Sequence, residues 1–134
     1  MSDTTQRSTA WQTALTMLQE IDPPFVPEGF HAMTVVIEYP AGDPGAPPHR
    51  HSGPAFGYVV EGEMLFELEG EAPRVIKAGE AFWEPGGDLI HFQDGNNRSD
   101  VPVKFTVTML CAPGQEMFTV VPEQELADHP RVQR

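Results

Sequence analysis

The chain has 134 residues and carries 20 acidic against 8 basic side chains, a formal net charge of −12. That charge, with a pI near 4.6, argues against nucleic acid or an anionic membrane surface as partner, because either needs a cationic footprint. No apolar run approaches the roughly 20 residues of a membrane span, and the start lacks the basic-then-apolar pattern of a signal peptide. The single cysteine, Cys111, forms no intrachain disulfide and suits a reducing compartment. These features predict a soluble cytoplasmic protein with one domain, large enough to bury its own core.

In chain order, residues 1–12 are polar and unpatterned and read as a flexible arm, or as one that orders on a partner subunit. From Ala10 to Ile21 the pattern is ambiguous. Trp11, Leu15 and Leu18 have helical spacing, yet residues 14–20 also read as a strand, which is the reading preferred here. After turns at Asp22-Pro23-Pro24 and Pro27-Glu28-Gly29, Phe30 to Tyr39 is a strand rich in β-branched residues. A Pro- and Gly-rich loop then leads to Pro47-Pro48-His49-Arg50-His51. Side chains alternate faces along a strand, so His49 and His51 share one side and Arg50 takes the other. Two imidazoles on one rigid element converge readily on a metal ion.

Ala55 to Val60 and Met64 to Leu68 are predicted strands flanking the turn Glu61-Gly62-Glu63, an arrangement that reads as a hairpin. Short strands follow at Arg74–Lys77, Ala81–Glu84 and Leu89–Gln93. Lys104 to Cys111 alternates Phe105, Val107, Met109 and Cys111 against threonines, as expected of a strand with one buried face. Phe118 to Val121 closes the series, and the charged tail 122–134 allows one helical turn at Glu123–Leu126. Roughly nine or ten close-spaced strands make an all-β sandwich or barrel spanning residues 13–121. His31 and His129 read as surface residues. Cys111 reads as core filling.

The histidine pair, preceded by Gly42 and Gly45 and followed by Gly62, resembles the first cupin motif. Gly79, then five residues, Pro85-Gly86-Gly87, His91 and the downstream Asn96 and Asn97 resemble the second; sixteen residues separate Gly62 from Gly79. The chain thus resembles a small single-domain cupin over about residues 30–112. Two departures stand out. Ala55 occupies the position of the family's glutamate ligand, and three residues rather than two separate Gly87 from His91.

The resemblance implies a double-stranded β-helix, or jelly-roll, barrel holding a divalent metal ion through His49, His51 and His91. Fe(II) is the first expectation, with Zn, Ni or Mn as alternatives. Three neutral imidazoles leave the ion's charge uncompensated and favour an anionic or chelating substrate such as a dicarbonyl, enol or catechol-like molecule. The implied activity is a dioxygenase-type reaction on such a small molecule, with Glu84 or Gln93 orienting substrate or shuttling a proton. Glu84 also reads as a rim carboxylate or as a substitute ligand. Ala55 and Gly57 suggest extra room for a bulky ligand, with apolar surface from Tyr58, Phe66, Phe82, Phe105 and Met109. A Zn- or Ni-dependent cyclase or isomerase without redox chemistry, and a non-catalytic ligand-binding cupin, use the same residues. A homodimer is expected from the family's habit of pairing through sheet edges and N-terminal strands.

Overall fold

The computed structural model describes residues 5–7 and 14–132. The expectations for residues 1–4 and 8–13, Trp11 included, lie outside them. In chain order the strands are β1 (Thr5–Arg7), β2 (Ala14–Thr16), β3 (His31–Tyr39), β4 (His49–His51), β5 (Ala55–Glu61), β6 (Glu63–Leu68), β7 (Arg74–Lys77), β8 (Ala81–Glu84), β9 (His91–Gln93), β10 (Val103–Cys111) and β11 (Phe118–Val120). One short helix, α1 (Glu123–Leu126), follows where a helical turn was expected.

Two antiparallel sheets form the barrel, ordered β3-β10-β5-β8 and β11-β4-β9-β6-β7. The strand alternation read in the sequence is realised in β10, whose Val103, Phe105, Val107, Met109 and Cys111 are all buried between outward neighbours. They meet Met64, Phe66, Leu68 and Ile76 from the opposite sheet in one core. Burial of these side chains, each contributing about 1.5–3 kcal/mol, holds the two sheets face to face. This is the double-stranded β-helix architecture.

Residues 5–7 form β1, which pairs antiparallel with β2 of its own chain. Two expectations are corrected. The expected strand at 14–20 is confined to Ala14–Thr16. The expected hairpin at Glu61-Gly62-Glu63 is instead a corner between the sheets, since β5 pairs with β10 and β8 while β6 pairs with β7 and β9. Gly62 makes that corner possible. It sits at φ +82, and a Cβ there would lie 2.4 Å from the carbonyl oxygen of Pro102.

The C-terminal segment straps the second sheet from outside. Val121 and Leu126 cover Ile90 and Phe92, and ion pairs join His129 to Glu69, Arg131 to Glu67 and Glu125 to Arg50. His129 is therefore an ion-pair partner rather than a free surface residue. Among the described residues, no helix is long and apolar enough to cross a membrane.

Candidate metal centre

β4 presents the histidine pair as strand alternation requires. His49 and His51 face the barrel interior, while Arg50 reaches outward to Glu125 at 2.7 Å and to the Asp88 carbonyl at 2.8 Å. Antiparallel pairing sets His49 directly opposite His91 of β9. The extra residue between Gly87 and His91 is absorbed by the turn, and His91 joins the pair. One ring nitrogen from each of the three histidines lies within 4.8 Å of the others.

The hydrogen bonds around these rings select their tautomers. His49 Nδ1 lies 2.7 Å from the Pro47 carbonyl and His51 Nδ1 3.1 Å from that of Met117. A carbonyl only accepts, so each Nδ1 carries a proton, and in the neutral ring Nε2 is left with its lone pair, the state a metal ligand needs. His91 is 3% exposed, its Nδ1 faces the Glu84 carboxylate and its Nε2 has no hydrogen-bond partner. A buried nitrogen without a partner costs free energy in a barrel interior. Three converging imidazoles fit a divalent cation.

Glu84 completes the cluster. It is 3% exposed, and its Oε2 lies 2.9 Å from His91 Nδ1 and 3.5 Å from His51 Nε2. It is neither a rim residue nor a merely structural one. Although burial opposes it, the neighbouring His91 and His51 hold the Glu84 carboxyl far below the usual range. His51 is raised, the Glu84 carboxylate outweighing burial, whereas burial and the nearby His91 ring lower His49. Before any metal arrives, the cluster already holds a carboxylate beside imidazoles.

The cluster closes one side of a cavity of about 160 Å³ whose walls include Met64, Phe82, Phe105 and Phe118. That is room on the order of five water molecules. The bulky-ligand expectation fails for a visible reason. Phe82 fills the space over Gly57, where a Cβ would lie 2.0 Å from the ring, and Glu84 stands across from Ala55. Gln93 does not line the cavity. A bulge between Glu67 and Leu68 offsets the β6–β9 ladder, and the Gln93 amide donates to Glu67 at 2.8 Å. Tyr58 faces outward; the phenol in the cavity belongs to Tyr39. Sequence reasoning missed Tyr39 and Asp94, although Tyr39 shares inward parity with Val35 and Ile37.

Residues 35–109 match the family model for the cupin domain. The chain belongs to the cupin family. Similar solved cupin-fold structures include the DMSP lyase DddQ of Ruegeria pomeroyi DSS-3, at 24% identity and a TM-score of 0.55 over 69% of this chain and 44% of that one. An oxalate oxidase in complex with the substrate analogue glycolate matches at 25% identity and a TM-score of 0.53, over 72% of this chain and 55% of the oxidase. A cupin protein from Bacteroides fragilis matches at 18% identity and a TM-score of 0.50, over 81% and 99% of the two chains. The chain spans about half the length of the lyase and the oxidase. No curated protein matches it in sequence.

Proposed function

We propose that this cupin is a mononuclear metal enzyme acting on a small chelating organic molecule, with an Fe(II) dioxygenase-type reaction as the leading chemistry. The observation that carries the reading is the convergence of His49, His51 and His91, with Glu84, on one cavity with largely apolar walls. Those three histidines would hold the ion. When bound, it would polarise the substrate's oxygens and give access to oxygen chemistry. The chain's own residues do the rest. Met64, Phe82 and Phe105 exclude water from the reacting centre. Glu84, held beside the imidazoles on the cavity wall, orients the substrate or shuttles its proton. The likeness to an oxalate oxidase that binds glycolate supports a small oxygen-rich substrate, as does the limited cavity volume.

A second reading, a Zn- or Ni-dependent cyclase or isomerase without redox chemistry, is favoured by Glu84 itself, a carboxylate beside the imidazoles that would offset the charge of a redox-inert ion. The test is metal content by mass spectrometry on tag-free protein, compared with a His49→Ala/His51→Ala variant. Near-stoichiometric metal lost in the variant is the expected result, with oxygen uptake in the presence of dicarbonyl and catechol substrates separating the two chemistries. Absence of metal from the wild type even after loading with Fe(II) would sink both.

A further inference from the structure

The cavity wall also carries a polar pair, Tyr39 and Asp94. Tyr39, the last residue of β3, turns inward and its hydroxyl donates to Asp94 Oδ2 at 3.1 Å. Asp94 follows β9, is 6% exposed, and its Oδ1 accepts the backbone N–H of Ala46 at 3.0 Å. Both residues line the cavity that His49, His51, Glu84 and His91 close. Burial, together with the Asp94 carboxylate, pushes the Tyr39 phenol well above its usual range, so the phenol stays a donor. Asp94 has no cationic side-chain partner among the described residues. A carboxylate offers about four acceptor positions and the two donors occupy two of them. The remaining positions are free to accept from a donor on a molecule in the cavity.

We propose that Asp94, oriented by Tyr39, recognises a hydrogen-bond donor, a hydroxyl or an ammonium group, on a ligand held in the cavity that the imidazoles line. This deepens the proposed function and rests on it for the ligand's oxygen-bearing group. The ligand class is a small molecule with a chelating oxygen group and a separate hydrogen-bond donor. A second carboxylate in place of the donor would meet Asp94 with like charge and an unfilled acceptor.

The test is a calorimetric titration of metal-loaded protein, its metal content fixed independently by mass spectrometry, with three matched probe series. Acetate, propionate and butyrate carry no tail donor; glycolate, 3-hydroxypropionate and 4-hydroxybutyrate add a hydroxyl; glycine, β-alanine and 4-aminobutyrate add an ammonium. Oxalate, malonate and succinate test the like-charge clash. At least one hydroxyl or ammonium probe should bind about tenfold tighter than its parent acid, the worth of one hydrogen bond to a charged group. The dicarboxylate of that length should bind less tightly than the donor probe.

Asp94→Asn, which still accepts from Ala46, should erase the preference. Tyr39→Phe should narrow it without reversing it, and circular dichroism should show both variants folded. Equal binding across the series would overturn the proposal. So would a hydroxyl preference that survives in Asp94→Asn, since that preference would arise at the imidazole end. If no metal is retained, the same titrations on metal-free protein read the Asp94 preference directly, so loss of the metal reading and loss of this one give different results.

Discussion

Ala55 and Glu84 stand opposite each other across strands β5 and β8. The position where cupins of the common pattern carry a glutamate holds only a methyl group here, and a carboxylate reaches the histidine cluster from the neighbouring strand instead. Directly opposed residues have Cβ atoms about 4.5–5.5 Å apart, so the charge has moved by one strand within the same site. Glu84→Gln should therefore weaken metal binding by about 10–100-fold while keeping the packing, the usual cost of losing a residue that supports the ligands. Returning the carboxylate across the pair, as Ala55→Glu with Glu84→Ala, should recover most of the loss. Metal affinity by competition with a chelator checks both, and a double variant no better than Glu84→Ala would show that position 55 does not address the site.

Phe82 over Gly57 governs the width of the cavity. A Cβ at residue 57 would lie 2.0 Å from Phe82 Cζ, too close for any ordinary contact. Gly57→Ala should therefore cost about 1–3 kcal/mol through overpacking, seen as a lowered denaturation midpoint. Adding Phe82→Leu should restore part of that stability and enlarge the chamber. Unchanged stability in Gly57→Ala would mean that the ring swings aside freely and does not bound the cavity.

Arg50 serves as the internal control for the strand reading. It lies between two candidate ligands yet points away from them, held by Glu125 and the Asp88 carbonyl on the outer face. Arg50→Ala should leave metal content intact and cost less than about 1 kcal/mol, as expected for a partly exposed ion pair. The same measurement on His49→Ala should show metal lost. Loss of metal in both would mean that the pairing of β4 depends on its outer anchor.

What the sequence revealed and what it hid follow from the range of the interactions. The shared face of His49 and His51 and the buried face of β10 depend on period-2 alternation alone, which adjacent residues carry. The corner at Gly62 was misread because a Glu-Gly-Glu turn suits a hairpin and a change of sheet equally; only pairing with β10 and β7 decides between them. Glu84 was visible as a carboxylate near Pro85, but its approach to His51 and His91 depends on cross-strand register. Asp94 carries no local signal, and its partner Tyr39 lies 55 positions away. Gln93 shared parity with His91 on paper, and the bulge opposite Glu67 removed it from the site.

The C-terminal strap should give the protein an acid-side stability term that can be measured. Glu69 accepts from the Ile90 N–H at 3.1 Å and lies 2.7 Å from His129 Nδ1. Burial opposes the effect, but these contacts hold its carboxyl below the ordinary range. A group whose folded-state pKa is depressed stabilises the fold above its unfolded value, near 4.3 for a glutamate, and loses that contribution as pH falls through the folded value. Wild type and Glu69→Gln should therefore differ most in stability above about pH 5 and converge as pH drops below the unfolded value. Denaturant midpoints across that range check it. A constant gap at every pH would mean that the substitution acts through packing alone and that the strap contributes no titrating charge.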